Sequence, residues 1–411
     1  MKINSSIRNI VLIWLGWAVI LIAFQHWVEM RVELRRPDHF LDPVQEHSPY
    51  LDDPFLNSHI SWDSEFYLSI ATAGFDDPSV RAIPPNFMWK TAQQVYCIAG
   101  KDSNCISLNY AFFPLYPWAI RLFAYPIQLL NLSLIASSTL AGIIISLAGA
   151  LGAMLALYFM TRTSLDEEGG IRTAFYFLIF PSSFFMAQVY TEGLFIGLTF
   201  GALAFLMARK WVLSAFLAIL AVWTRPGGAI LLVPMAMVWW MDKPWKDGWK
   251  SALLRGLAAL TPAISYGVWS LTPLAAKFHI VEDHYFARGL LAIAPSIQEW
   301  ERALNAFRTG DPPYQFYFGL EFAGIALAVI SCALLWKERP ELAAFSIVMV
   351  AFVVTSGIAQ SMIRYVLASP ALFWVLARWG KRPAFDRIWT IVSILLLGLE
   401  VMLFSFDFWV G

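Results

Sequence analysis

The sequence predicts an all-α polytopic membrane protein, and three observations predict it. The 411 residues are 59% apolar and only 14% charged, with a mean hydropathy of +0.60, which leaves too little polar matter to clothe a soluble domain of this length. Apolar runs matching the roughly 30 Å hydrocarbon core of a bilayer recur along the chain. Lys and Arg fall in alternate short loops between them, as in a chain threaded through a membrane. Net charge is zero and no long basic run occurs, which argues against nucleic acid as a partner. The 19 Trp, 14 Tyr and 32 Phe suit rings placed where lipid meets water.

Taken in order, Ile10 to Trp27 is apolar apart from Gln25 and His26 and is followed by no small-x-small cleavage site, so it reads as a retained first span. About eleven spans are expected in all, near 10–28, 132–160, 172–188, 191–208, 211–224, 226–241, 254–275, 316–336, 342–358, 363–378 and 388–409. Segments as short as 211–224 cannot cross as straight helices at about 1.5 Å per residue, so tilted, broken or re-entrant helices are expected there. Lys2 and Arg8, Arg162 and Arg172, Arg209 and Lys210, Lys243 to Arg255, Lys337 and Arg339, and Arg378 to Arg387 mark the cytoplasmic ends. The whole chain, 1–411, then forms one transmembrane domain with two large external connections, residues 29–131 and 276–315. The first is too long for a connector and too aromatic for a disordered tail, so it should fold against the bundle. Within it Asn109 to Pro126 carries Pro114, Pro117 and Arg121 among apolar residues, the make-up of a helix lying in the membrane surface.

The chemistry concentrates in the first external loop, where SWDSEFYLSIATAGF occupies residues 61–75. As a helix, this segment places Asp63 and Tyr67 on one face, while Asp63 and Glu65 stand about 200° apart and cannot clamp one metal. An extended backbone would be needed for that, so no cofactor is required and a divalent cation stays open. Read alone, Asp63 is more often a helix cap than a catalyst. Cys97 and Cys105 are close enough to pair in an oxidising compartment, and Cys332 lies inside a span. In the second external loop His279 and His284 are five apart, a poor metal motif, whereas Lys277 and Arg288 can contact an acceptor or a lipid headgroup.

WDSEFYLSIATAGF, then NYAFFPLYP at 109–117, FPSSFFMAQVYTEGLF at 180–195, TRPGG at 224–228 and QSMIRYVLASP at 360–370 resemble, in order, the PIG-V family of GPI mannosyltransferases and their prokaryotic relatives. The resemblance implies a GT-C fold, a catalytic acid in the first external loop at Asp63, and a polyprenyl- or dolichyl-phosphate mannose donor. It implies a glycan or glycolipid acceptor and a multi-pass enzyme in contact with membrane lipid, in a bacterial inner membrane in preference to the endoplasmic reticulum, with its active site external. Many members carry another residue where Glu65 stands.

Such a reaction needs a carboxylate to take the proton of the attacking hydroxyl, worth roughly 10² to 10⁴ in rate. It also needs cations for the departing phosphate. Asp63 is the expected base. Arg225 and Arg364, at external span ends where a lone arginine is costly, are the expected phosphate contacts, with Tyr365 beside them. Glu65, Tyr67, Tyr116, Glu192 and Gln360 complete the expected substrate-binding set, and snorkelling or a salt bridge to Glu192 is the plainer alternative for each arginine. Two rivals remain. A transporter or flippase would show paired halves, which this chain lacks, and a lipid-linked glycosyltransferase for another sugar would keep the same chemistry.

Overall fold

The computed structural model describes residues 5–31, 56–87, 97–98, 104–406 and 408–410. Lys2 and the stretches 32–55, 88–96 and 99–103 of the first large loop lie outside the described residues. The elements in order are α1 (Ser5–Arg31), α2 (Asp63–Thr72), β1 (Arg81–Ile83), β2 (Cys97–Ile98), β3 (Ile106–Ser107), α3 (Leu115–Ile127), α4 (Leu134–Leu178), α5 (Glu192–Met207), α6 (Trp211–Thr224), α7 (Leu232–Asp242), α8 (Trp249–Ser270), α9 (Pro273–His284), α10 (Ile293–Thr309), α11 (Pro312–Leu335), α12 (Pro340–Val354), α13 (Met362–Val366), α14 (Pro370–Trp379) and α15 (Pro383–Ser405). The chain is an all-α, multi-pass membrane protein.

Among the described residues four helices, α1, α4, α11 and α15, are long and apolar enough to cross a membrane. A fifth span results if the bent pair Pro181–Ala187 and α5 counts as one. The sequence-based figure of about eleven therefore divides into a few full-length helices and many broken ones, and α6, α7 and α12 are apolar but short. The expected span 132–160 is the first arm of α4, which reverses at Asp166 (φ 64°, ψ 177°), while 172–188 is split between the second arm, ending at Leu178, and the Pro181–Ala187 segment. Asp166 Oδ1 accepts from Gly169 N at 2.8 Å, capping the second arm. A Cβ on Gly170 would lie 2.8 Å from the ring of Tyr158, a contact twelve residues apart that a straight helix rising about 1.5 Å per residue cannot make.

The charged loops assigned to one membrane face are tied to each other. Lys381 reaches Asp166 at 3.6 Å, Arg378 reaches Glu338 at 2.6 Å, Tyr176 donates to Asp386 at 2.6 Å, and Arg209 pairs with Asp242 at 2.6 Å. At the crossing of α4 and α5 the backbones touch: a Cβ on Gly193 would stand 2.1 Å from Ser146 O, and one on Gly197 2.4 Å from Gly149 O. Small residues make this approach the geometry of close-packed membrane helices.

Beyond the other end of the bundle lies a cap formed by α2, α3, α9 and a three-stranded antiparallel sheet of order β2-β1-β3, with Ala82 opposite both Cys97 and Ser107. The Cys97–Cys105 disulfide is present, with Cα atoms 6.1 Å apart. The cap has its own core, containing Phe66, Tyr67, Leu68, Ile83, Tyr110, Tyr116, Val281 and Tyr285. Its two most distinctive motifs form one packing unit. Asn109 donates to Ser69 Oγ at 2.8 Å and to Gly74 O at 3.2 Å, and Phe112 stacks on Phe66 at 4.8 Å. Pro114 precedes α3 and Pro117 lies in its first turn, where no helical N–H is lost. That helix buries Tyr116 and Ile120 while exposing Trp118, Leu122, Phe123 and Tyr125.

Candidate active site

Asp63 is the first residue of α2, and the turn before it is strained: Trp62 has φ 57° and ψ −116°, a conformation that costs about 1–3 kcal/mol for a non-glycine residue and persists only when surrounding contacts enforce it. Tyr190 supplies one. Its hydroxyl donates to Ser61 O at 3.0 Å and accepts from Asp63 N at 3.2 Å. The carboxylate thereby comes to face Arg364, whose Nη1 donates to Asp63 Oδ2 at 3.1 Å. Arg364 is 3% exposed and Asp63 22%, so the acid is partly accessible while the cation paired with it is enclosed.

The other charged residues sit where helices break. Glu192 opens α5 at a bend of 101° from the preceding Pro181–Ala187 segment. Arg225 caps α6 and hands the chain to the Pro226–Leu231 turn, which needs Gly228 because a Cβ there would lie 2.5 Å from the backbone of Ala221. Arg364 is on α13, a five-residue helix entered through Ser361 at φ 67°. Irregular backbone at membrane depth is tolerated where it is buried in protein or lines a cavity.

These breaks converge on a charge cluster. Glu192 Oε1 lies 2.9 Å from Arg225 Nη1 and 3.3 Å from Arg364 Nε, yet neither Glu192 oxygen accepts a hydrogen bond, so charge alone holds that carboxylate. Tyr365 is the hub: its hydroxyl accepts from Arg288 Nη1 at 3.0 Å and Arg364 Nη2 at 3.3 Å. Its ring lies 5.2–5.5 Å from the guanidinium carbons of Arg225, Arg288 and Arg364. Tyr67, one turn after Asp63, shares a hydrogen bond with Thr191 Oγ1 at 3.3 Å, and burial pushes its hydroxyl above the usual phenol range.

The structure thus brings together Asp63, Tyr67, Glu192, Arg225, Arg364 and Tyr365. Arg288 joins them from the second loop. Three expected contacts lie elsewhere. Tyr116 is fully buried behind Tyr67, its hydroxyl bonded to Gly142 O and Ser146 Oγ at 3.0 Å each. Gln360 is exposed, and Glu65 projects from a different face of α2 than Asp63. His279 packs against Trp269 and His284 lies beside Asp283; among the described residues no three His, Cys, Asp or Glu side chains are grouped to hold a metal. Lys277 turns instead to Tyr110, donating at 2.8 Å.

Glu282 escaped the sequence reading. Half-buried on α9, it is four residues before Phe286, whose ring packs on Phe66 and Phe112, so its side chain falls on the face turned to α2. Burial pushes its carboxyl up to about 7, with Arg288 opposing and Asp63 adding to the shift. An acid flanked by aromatic and apolar residues in KFHIVEDHYF was the available signal.

No protein-family model matches this chain, and no curated protein sequence does. Among solved structures it is similar to the apo oligosaccharyltransferase of Archaeoglobus fulgidus, with 12% identity and a TM-score of 0.46 over 97% of this chain and 56% of that one. It is also similar to ArnT from Cupriavidus metallidurans, in the apo state at 15% identity and TM-score 0.46, and bound to undecaprenyl phosphate at 13% and 0.44; each likeness covers 95% of this chain and 76% of ArnT. The chain spans little more than half the length of the archaeal enzyme.

The cluster's chemistry follows from its charges. Three guanidiniums gather with the carboxylates of Asp63 and Glu192, while burial favours the neutral form of Glu282, so positive charge is in excess among these side chains, and an enclosed cation left uncompensated is expensive. An incoming anion would relieve that cost. Beside it stands Asp63, a partly accessible carboxylate.

Proposed function

We propose that the protein is a GT-C glycosyltransferase that moves a sugar, mannose on the strength of its PIG-V-like motifs, from a polyprenyl- or dolichyl-phosphate donor to an acceptor hydroxyl at the external membrane face. The observation that carries this reading is the Asp63–Arg364 contact at 3.1 Å, which joins a partly accessible carboxylate to enclosed arginines. The acceptor oxygen attacks the anomeric carbon and its proton passes to Asp63. The bond from that carbon to the phosphate oxygen breaks on the opposite face, inverting the centre, and the lipid phosphate leaves with the electron pair. Arg225, Arg288 and Arg364 stabilise the charge that grows on it, where enclosed, preorganised donors act far more strongly than in water. Tyr365 fixes the spacing of the three guanidiniums.

The test is transfer from radiolabelled polyprenyl-phosphate mannose to a membrane lipid extract by purified protein. Asp63→Asn preserves shape but cannot take the proton, so transfer should fall by about 10² to 10⁴. Equal transfer by wild type and variant would remove Asp63 as the base, and solute uptake into proteoliposomes without sugar transfer would replace the enzyme with a transporter.

A further inference from the structure

The carboxylate of Glu321 lies in the middle of α11, fully buried in an otherwise apolar helix. Such a group costs several kcal/mol unless something compensates it. The compensation is specific: Glu321 Oε2 accepts from Ile363 N at 2.7 Å. Tyr317, one turn earlier on the same face of α11, accepts from Ser361 N at 3.0 Å and from Trp409 Nε1 at 3.2 Å. From the other side Ser182 donates to Ile363 O at 2.8 Å. Gly324 packs against Ile363, where a Cβ would lie at an ordinary contact distance of 3.5 Å. Both backbone polar groups of Ile363 are therefore pinned, directly before Arg364 and two residues after Ser361, whose left-handed φ of 67° needs outside support.

We infer that Glu321, with Tyr317, is a positioning residue that clamps the Ser361–Ile363 turn so that Arg364 points at Asp63 and Glu192. The inference rests on the reading of Arg364 as a phosphate contact for its functional consequence, but the clamp itself does not. Glu321 touches no reacting atom. Its role is that of a fixed acceptor deep in the bundle: without it, Ile363 N–H is left unbonded and α13 is free to rotate, carrying the guanidinium with it.

Two readouts test the clamp. The first is modification of Arg364 by phenylglyoxal, followed peptide by peptide in nanodiscs by mass spectrometry, which needs no catalytic activity. Wild type should be protected, Glu321→Leu should be modified about ten- to a hundredfold faster, the range expected when a buried hydrogen bond to a charged group is lost, and Glu321→Gln, whose amide oxygen still accepts from Ile363, should stay within about threefold of wild type. Tyr317→Phe, removing the second acceptor, should show a smaller increase and serves if the leucine variant does not fold. The second is a double-mutant cycle on sugar transfer: Glu321→Leu should lower kcat/KM strongly in wild type and little in Arg364→Lys. Protection of Arg364 in a folded Glu321→Leu protein, equal damage from Gln and Leu, or additive losses in the cycle would each overturn the clamp. Absence of transfer by wild type with the modification pattern intact would sink the enzyme reading and leave the clamp standing.

Discussion

Glu192→Gln tests whether the cluster is built to be short of negative charge. Glu192 is 1% exposed, and its partners Arg225 and Arg364 are 17% and 3% exposed. At an effective dielectric of about 20, charges 2.9 and 3.3 Å apart interact by about 5–6 kcal/mol each before desolvation is counted. Removing one partner of a buried ion pair costs about 3–5 kcal/mol in practice. The lower end, about 3 kcal/mol, is expected here because glutamine still offers a carbonyl oxygen to one guanidinium. The variant should therefore unfold more readily in detergent, measured by denaturant or heat. Added decaprenyl phosphate should stabilise it more than it stabilises wild type, since the ligand's charge replaces the one removed. Stability within about 0.5 kcal/mol of wild type, with an unchanged response to the lipid phosphate, would refute the claim that the arginines await an anion.

Two further outcomes follow from the geometry. Glu282 has its folded-state value raised from the ordinary 4.5 to about 7, so its contribution to stability is fully present below about 4.5 and is lost as pH rises through 7; Arg288 and Asp63 are the charged groups acting on it. Unfolding followed between pH 5 and 8 should show wild type losing stability relative to Glu282→Gln, and parallel profiles would exclude the shift. Gly193→Ala places a methyl group 2.1 Å from Ser146 O, forcing α4 and α5 apart next to Glu192. Overpacking of this kind costs about 1–3 kcal/mol or more, read as lost monodisperse protein and lost transfer, whereas Gly267→Ala, with open space around it, should change neither.

Much of the site was legible because its chemistry sits in short motifs with local logic. The i, i+4 spacing of Asp63 and Tyr67 survives in α2, and charged residues inside apolar sequence, Glu192, Arg225 and Arg364, do converge. Three things were not legible. The packing of Phe286, just after α9, on Phe66 of α2 brings Glu282 near Asp63, and packing between segments more than 200 residues apart leaves no periodic trace. Tyr116, expected to contact substrate, instead packs behind Tyr67 with its hydroxyl bonded to Gly142 O and Ser146 Oγ, and the motif alone cannot say which way its tyrosine turns. The charged run 162–172 did mark a reversal between two expected spans, but not that it is made at one residue, Asp166, with helix continuing directly on both sides.

The breaks themselves were read from sequence as a difficulty in counting spans, and the structure gives them a cause. A straight helix satisfies its own backbone and presents side chains sideways, so it cannot aim several charges at one point. At a broken end the chain changes direction, and a side chain can leave along the helix axis; Glu192 and Arg225 occupy such ends, and Arg364 sits in the single short turn of α13 between two breaks. The freed N–H and C=O groups must then be satisfied from outside. For Arg364 that satisfaction comes from Glu321, Tyr317 and Ser182, residues that would have no reason to be polar in a continuous span. A single acid in the otherwise apolar FYFGLEFAGIAL is therefore a mark, visible in sequence, of a break elsewhere in the chain that needs an acceptor.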